Sequence, residues 1–220
     1  QGGDQPIYSG DKSKVIVANG EIYNFPNLRA QLDQKHRFRT NSDSESALHL
    51  FEDIACQAAD KLDGMFAFVI SDGESLYAGR DAIGIKPLYY GKCKGRFAFA
   101  SELKALNGIA EDVKEFPPGT WYHTKHGFNS FYTVPEIEPE EMSVEQGCKL
   151  IRQTLEKAVV KRMMSDVPVG AFLSGGLDSS IICAMVKQHV KELHTFSVGV
   201  EGSRDLEAAR VVARYIDSIH

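Results

Sequence analysis

The stretch AFLSGGLDSSII, residues 171–182, joins a short apolar run to a helical pattern through two glycines. Gly175 and Gly176 have no Cβ atom, so the backbone can adopt positive φ angles and can approach a ligand closely. The N–H groups of such a loop, together with the N-terminus of the following helix, form a site for an anion such as phosphate. The stretch therefore predicts a phosphate-binding loop at the end of a buried strand.

The side chains of this loop support the same prediction. Ser174, Ser179 and Ser180 offer hydroxyl donors. A carboxylate at Asp178 is expected in a phosphate site if it holds a magnesium ion that the phosphates share. No lysine follows the glycines, so the loop differs from the GxxxxGK[ST] loop of kinases and suits enzymes from which pyrophosphate leaves. The alternative is an ordinary Gly-Gly turn before a helix that Asp178 or Ser179 caps.

The segments around the loop alternate between helix and strand patterns. Apolar residues recur at three- or four-residue spacing over 148–163, which predicts a helix. Strands are predicted at 167–173 and 193–200, and further helices at 178–190 and 205–216. This order predicts a parallel, doubly wound α/β sheet.

An acidic segment with two prolines, PEIEPEEM at 135–142, is expected to be a linker. Before it, short strand patterns with tight turns surround two helical patterns, which predicts an α+β domain of packed antiparallel sheets with helices outside. The strands are predicted at 15–18, 65–71, 75–79, 88–92, 97–100 and 121–124, and the helices at 24–34, with Asn24 as cap, and at 42–53. The predicted domains are residues 1–134 and 146–220, joined by a linker over 135–145.

The segment NGEIYN follows the first predicted strand. Asn-Gly is turn chemistry, but the side-chain amide of Asn19 and the N–H of Gly20 are also donors that could stabilise a tetrahedral oxyanion. Glu21 and Asp43 are carboxylates that could receive the α-ammonium group of a substrate. Taken alone, NGEIYN favours a turn, and Asp43 favours the cap of the second predicted helix.

Bulk properties narrow the classes of function. The net charge of −5 argues against a general nucleic-acid binder, because such a protein needs a basic surface. No apolar run reaches the length of a membrane span and no signal-peptide pattern is present, so a cytoplasmic protein without a membrane partner is expected.

The four cysteines form no CxxC pair, which predicts reduced thiols. His123 and His126 have no third ligand near them in the sequence, which favours exposed turn residues over a zinc site.

The motif SGGLDSS resembles the SGGxDS loop of the ATP-pyrophosphatase superfamily, whose members cleave ATP to AMP and pyrophosphate while they adenylate a substrate. The resemblance implies ATP and Mg²⁺ as cofactors, with Asp178 as a ligand of the magnesium ion. It further implies that pyrophosphate is bound by Ser174, Gly175, Gly176, Asp178 and Ser179. It places adenosine contacts at Phe172 or Leu173 and at Val198, and an acidic site residue at Asp205, for which a helix cap is an equal alternative.

A series of motifs in the first part resembles, in order, the glutaminase domain of class II glutamine amidotransferases, which has an Ntn-hydrolase-like fold. These motifs are NGEIYN, TNSDSE, GMFAFVISD, GRDAIGIKPLYY, FASELKAL and EFPPGT. Together with MSDVP and SGGLDSS, the order is similar to that of the glutamine-hydrolysing asparagine synthetases along nearly the whole chain. The resemblance implies an oxyanion hole at Asn19 and Gly20 and glutamine contacts at Asn19, Gly20, Glu21 and Asp43. For Arg80 and Asp81 a structural role is favoured.

The resemblance implies an ATP-dependent ligase that converts aspartate and glutamine to asparagine and glutamate through a β-aspartyl-adenylate. The family's nucleophile is an N-terminal cysteine, whereas residue 1 is Gln1 and the first cysteine, Cys56, lies in a helical pattern. A fragment that lacks the nucleophile and the end of the synthetase domain is therefore expected. The alternatives are another adenylating synthetase, similar to β-lactam synthetase, and a non-catalytic binding or regulatory protein. The expected partners are glutamine, aspartate and ATP, with no nucleic acid or membrane, and a homodimer is left open.

Overall fold

The structure is a computed structural model that describes residues 3–220. The chain divides into two compact units, one ending at Ile137 and the other beginning at Glu138. This division falls within the predicted linker, and the exact domain limits stay predictions. Among the described residues, no helix combines the length and the apolar character needed to cross a bilayer.

The first unit consists of two antiparallel sheets and two α-helices. The strands are β1 (Ile7–Tyr8), β2 (Val15–Ile22), β3 (Gly64–Ser71), β4 (Leu76–Arg80), β5 (Tyr89–Cys93), β6 (Arg96–Ala100), β7 (Glu111–Glu115), β8 (Thr120–His123) and β9 (Gly127–Ser130). The helices are α1 (Phe25–Leu32) and α2 (Glu45–Ile54). Six strands form one sheet in the order β1-β2-β3-β4-β8-β9, and three form the other in the order β6-β5-β7.

The large sheet is covered by helices on one face and by the small sheet on the other. Ile16 and Phe68, which point to the helical side, share a core with Leu28 of α1 and Leu48 of α2. The core of the opposite side contains residues of both sheets and their flanks, namely Ala67, Ala78, Leu88 and Phe116, with Val69, Tyr90, Phe99 and Tyr122 packed against it. Because the side chains of a strand alternate between two faces, β3 and β4 serve both cores. The predicted α+β architecture is confirmed.

Local turn chemistry correctly predicts two hairpins. In the first, β3 and β4 pair across Asp72-Gly73, where Gly73 has a φ angle of 89° and the carboxylate of Asp72 accepts the N–H of Ser75. In the second, β5 and β6 pair across Lys94 and Gly95, which both have positive φ angles.

Two other predictions from local chemistry are wrong. Asn19-Gly20 is no turn, because it lies inside β2, which pairs with β3 over its whole length. The side chain of Asn24 does not cap α1. Instead, its amide donates to the carbonyl of Lys61 and its oxygen accepts the N–H of Asp63. In both cases a partner distant in the sequence replaces the local one.

The turn after β4 is held by the buried side chains of Arg80 and Asp81. The Arg80 guanidinium donates to the carbonyls of Gly84, Lys86 and Phe116 and to the carboxylate of Glu115. The Asp81 carboxylate accepts the N–H groups of Phe66, Ile85 and Lys86. These buried and partly buried hydrogen bonds link the two sheets, which supports the structural role favoured for this motif.

The second unit is a small parallel α/β arrangement. Its elements are α3 (Val144–Arg162), β10 (Gly170–Phe172), α4 (Leu177–Lys187), β11 (His194–Phe196) and α5 (Arg204–Tyr215). β10 and β11 pair in parallel, and Ile219 forms a further parallel bridge to His194. Its core contains Val159, Leu173, Cys183, Val186, Leu193, Ala209 and Ala213. The alternation of helix and parallel strand confirms the prediction for this unit.

Replacing Asp81 with alanine is expected to lower the free energy of unfolding of the first unit by about 3 kcal/mol, because one buried and two partly buried N–H groups lose their acceptor. Urea denaturation followed by the fluorescence of Trp121, the only tryptophan of the sequence, measures the change. Asp60→Ala is the control, since its carboxylate is half exposed, and should change the free energy by less than about 0.5 kcal/mol. Equal effects of the two substitutions would contradict the anchoring role of Asp81.

Candidate functional site

The first candidate site lies at the edge of β2 that faces away from β3. Ala18 donates its N–H to Oε1 of Gln5 at 2.6 Å, and its carbonyl accepts from Nε2 of Gln5 at 2.7 Å. The N–H of Ile22 donates to Oδ2 of Asp43 at 2.5 Å. Because the N–H groups of a strand point to its two edges in alternation, the N–H of Gly20 points to the same edge as those of Ala18 and Ile22.

Gly20 is also needed for the pairing that creates this edge. A Cβ atom at this position would lie 2.1 Å from the carbonyl oxygen of Met65 and 2.6 Å from Cα of Phe66, and the φ angle of Gly20 is 153°. Any other residue would collide with the backbone of β3. The glycine therefore keeps the β2–β3 register and at the same time presents its N–H at the edge.

The predicted glutamine contacts gather around the same edge. Asn19 and Glu21 project from one face of β2, and both are exposed. Asp43 does not cap α2 over its first turn as the isolated motif suggested. Its carboxylate reaches back to the N–H of Ile22 and also accepts the N–H of Ser44. The structure thus brings Asp43 to the NGE segment, and the binding role of these residues stays a prediction.

The second candidate site is a cavity of about 430 Å³ where β10 and β11 end. Open α/β sheets bind ligands at the carboxyl ends of their strands. The cavity is lined by Phe172, Leu173, Ser174, Ser179, Phe196, Ser197, Val198, Asp205 and Leu206. Six of these are among the nine residues that the sequence predicted as ATP ligands: Phe172, Leu173, Ser174, Ser179, Val198 and Asp205.

The serines of the glycine loop hold one another in place. The Oγ atoms of Ser174 and Ser179 lie 2.9 Å apart, and the N–H of Ser174 donates to Oγ of Ser179 at 3.3 Å. The hydroxyls of Ser179 and Ser180 both donate to the carbonyl of Gly176. The N-cap residue of α4 is Gly176, which has no side chain to accept an N–H. The alternative in which Asp178 or Ser179 is the cap residue is therefore wrong.

The two glycines of the loop have different roles. Gly175 has a φ angle of 79°, and a Cβ atom on it would lie 2.6 Å from backbone atoms of Ala208 and Ala209 in α5. Gly176 has a φ angle of −70°, and a Cβ atom on it would meet only Oγ of Ser174, at 3.5 Å. The first glycine thus allows the loop to pack on α5. The second leaves open space beside the N-terminus of α4.

Two carboxylates lie in the first turns of the neighbouring helices. Asp205 lines the cavity, and the cap of α5 is Ser203, whose Oγ accepts the N–H of Leu206. The prediction that Asp205 caps α5 is therefore wrong. Its alternative role, as an acidic residue of the ATP site, stays a prediction. Asp178 is exposed at the start of α4, outside the residues that line the cavity.

Sequence reasoning missed two contributors to the sites. Ser197 lines the cavity, donates to the carbonyl of Leu173 and lies 3.2 Å from Nε2 of His220. A signal was present, because a polar residue directly after a parallel strand lies at the ligand edge of the sheet. Gln5, which closes the β2 edge at Ala18, gave no signal, because the two residues are 13 positions apart.

A further group of polar side chains lies away from both sites. The Sγ of Cys56 and one ring nitrogen each of His123 and His126 lie within 4.8 Å of one another, so the expectation of no third ligand is wrong. However, Nδ1 of His123 accepts the N–H of Lys125 at 3.1 Å, which occupies one ring nitrogen. Burial also raises the pKa of the Cys56 thiol, which disfavours the thiolate form of the sulfur.

Comparisons with known proteins match both units. A family model described as a glutamine amidotransferase domain matches residues 1–108, and one described as asparagine synthase matches residues 150–220. Over 99% of the chain, the identity is 46% to glutamine-hydrolyzing asparagine synthetase 2 of Oryza sativa subsp. japonica and 44% to the glutamine-hydrolyzing asparagine synthetase of Zea mays. The chain spans only 39% of the length of each of these relatives. A solved glutamine phosphoribosylpyrophosphate amidotransferase from B. subtilis is 21% identical with a TM-score of 0.49, over 92% of this chain and 52% of that one.

Gly175→Ala is expected to destabilise the second unit by about 2–3 kcal/mol, because the new Cβ atom meets the backbone of α5 and the φ angle is strained. Gly176→Ala is the matched control one residue away, and it should change the free energy of unfolding by less than about 1 kcal/mol. Thermal denaturation followed by far-UV circular dichroism compares the two variants. A larger loss for Gly176→Ala would show that the roles of the glycines are reversed.

Proposed function

The chain belongs to the family of the glutamine-hydrolysing asparagine synthetases, and on this premise we propose that it is part of an enzyme that converts aspartate and glutamine to asparagine and glutamate. ATP supplies the energy and leaves as AMP and pyrophosphate. The proposal rests mainly on one observation: six of the predicted ATP ligands line a single cavity at the ends of two parallel strands.

In the first unit, we propose that the β2 edge binds glutamine for hydrolysis to glutamate and ammonia. When a nucleophile adds to the carboxamide of glutamine, its oxygen becomes an oxyanion. The N–H of Gly20 and the side-chain amide of Asn19 stabilise that charge, because both donors are fixed on a strand before the reaction starts. The carboxylates of Glu21 and Asp43 attract the α-ammonium group of glutamine. The position of Asp43 beside the N–H of Ile22 supports this assignment.

In the second unit, we propose that the glycine loop holds the phosphates of ATP. Ser174 and Ser179 offer hydroxyls at the cavity, and the space beside Gly176 leaves the N–H groups of the α4 N-terminus accessible to an anion. Phe172 and Val198 are exposed apolar side chains at the strand ends and provide a surface for adenosine. Asp205, in the first turn of α5, lines the same cavity as the loop serines.

A magnesium ion fits the donor set of the loop. Mg²⁺ is usually held by one or two carboxylates and by phosphate oxygens, and Asp178 supplies an exposed carboxylate two residues after Gly176. When bound, the ion would neutralise charge on the departing pyrophosphate.

The proposed reaction then balances in three steps. Glutamine and water give glutamate and ammonia. The β-carboxylate of aspartate attacks the α-phosphorus of ATP, which forms β-aspartyl-AMP and releases pyrophosphate. Ammonia attacks the activated carbonyl carbon, which forms asparagine and releases AMP and a proton.

Asn19→Ala in the full-length gene product is expected to lower glutamine-dependent formation of asparagine about 100-fold, because one oxyanion donor is lost. Formation of asparagine from added ammonium salt should stay within about twofold, since that route bypasses glutamine hydrolysis. Asn27→Ala, an exposed residue of α1, serves as the control and should leave both rates unchanged. An equal fall in both rates with Asn19→Ala would assign this residue a structural role.

Exchange of labelled pyrophosphate into ATP tests the substrate of the second unit, because exchange requires reversible adenylation. Exchange is expected with aspartate and not with other amino acids or with carboxylates of β-lactam precursors. Exchange that depends on another acid would assign the chain to a different adenylating synthetase. No exchange with any acid in a folded full-length protein would favour the non-catalytic alternative.

A further inference from the structure

From the first unit, we propose a second binding site, for a small zwitterion with an apolar side chain, such as an apolar α-amino acid. The site is a cavity of about 280 Å³ between the tips of two hairpins, one from each sheet. The β3–β4 hairpin contributes Glu74 and Ser75, and the β5–β6 hairpin contributes Arg96 and Phe97. The end of β8 contributes Tyr122. None of these residues takes part in the proposed reaction.

The cavity lies away from the candidate glutamine site. Ser71, the residue of β3 that lines it, pairs with Val15 of β2, whereas Gly20 pairs with Phe66. Five residues of a β-strand span about 17 Å. A ligand in the cavity therefore does not reach the NGE segment, and its binding does not depend on the proposed function.

Two side chains of opposite charge line the cavity without pairing with each other. Arg96 and Glu74 are both exposed, and within the described residues neither charged group forms an ion pair or a hydrogen bond. The second cation of the lining, Lys92, has a partner, because Asp112 lies 3.9 Å away. A zwitterion matches this arrangement, since its carboxylate binds Arg96 and its ammonium group binds Glu74.

A buried hydroxyl adds a polar group to the lining. Ser75 is only 8% exposed. Its N–H donates to the carboxylate of Asp72, and its carbonyl accepts the N–H of the same residue. Across the part of the chain that the structure describes, its Oγ has no hydrogen-bond partner. Because buried polar groups almost always have a partner, this hydroxyl indicates a polar ligand group in the cavity, such as a carboxylate.

Two aromatic rings give the cavity an apolar surface. The rings of Phe97 and Tyr122 are partly buried, and their centroids lie 5.1 Å apart in an edge-to-face arrangement. Phe128 packs against both of them. The hydroxyl of Thr124 accepts the N–H of Leu76 and donates to its carbonyl, which ties β4 to the end of β8. The walls are thus formed before a ligand binds, and the rings suit an apolar side chain.

The test is titration of the 220-residue chain with L-phenylalanine, followed by saturation-transfer NMR of the ligand. For this probe, with about 12 non-hydrogen atoms, a dissociation constant on the order of 1 mM is expected. Arg96→Gln and Glu74→Gln should each weaken binding about 10-fold, because a charge-assisted contact is lost. Both residues are exposed, so the variants should fold, which far-UV circular dichroism verifies. The test needs no catalytic activity.

Lys94→Gln is the matched control, because it removes a cation of the same hairpin that does not line the cavity. It should leave the affinity unchanged. Two analogues separate the charges of the ligand. 3-Phenylpropanoate lacks the ammonium group, so Glu74→Gln should not weaken its binding. Phenethylamine lacks the carboxylate, so Arg96→Gln should not weaken its binding.

Three outcomes would overturn the proposal. The first is absence of saturable L-phenylalanine binding, or equal affinity of the wild type, Arg96→Gln and Glu74→Gln. The second is equal affinity for L-phenylalanine and 3-phenylpropanoate, which would show that the ammonium group is not recognised. The third is loss of binding in Asp43→Asn but not in Arg96→Gln, which would place the probe at the β2 edge.

Discussion

The contact between Gly20 and the backbone of β3 is the constraint on which the first unit depends. The two strands come so close at this point that a Cβ atom would lie 2.1 Å from a carbonyl oxygen. The unbroken pairing keeps β2 beside β3, which contributes to both cores of the unit. It also leaves the opposite edge of β2 for other partners. A fold constraint and a candidate oxyanion donor therefore coincide in one residue.

The second unit uses a glycine in a comparable way. Gly175 lets the loop after β10 pack against the backbone of α5, and the next glycine leaves space at the start of α4. As a result, the loop serines and Asp205 lie around one cavity. In both units a glycine allows another segment to approach the backbone closely, and the candidate anion-binding groups are backbone N–H groups.

Much of the architecture was predictable from the sequence because it follows from short-range patterns. The hairpin at Asp72-Gly73 and the helix that begins within SGGLDSS depend on residues next to one another in the chain. The errors share a cause. Asn24 and Asp43 are good cap residues in isolation, but their side chains satisfy backbone groups 37 and 21 positions away. No local pattern contains such partners.

Local chemistry indicates the β2 edge and the glycine loop only as two separate candidate sites. The family resemblance relates them, because it implies one reaction in which both sites take part. The most direct test supplies glutamine labelled with ¹⁵N in its side-chain amide, together with aspartate and ATP·Mg²⁺, to the full-length gene product. We expect ¹⁵N in the side-chain amide of asparagine, with one AMP and one pyrophosphate formed for each asparagine. Formation of ADP and phosphate, or unlabelled asparagine from labelled glutamine, would contradict it.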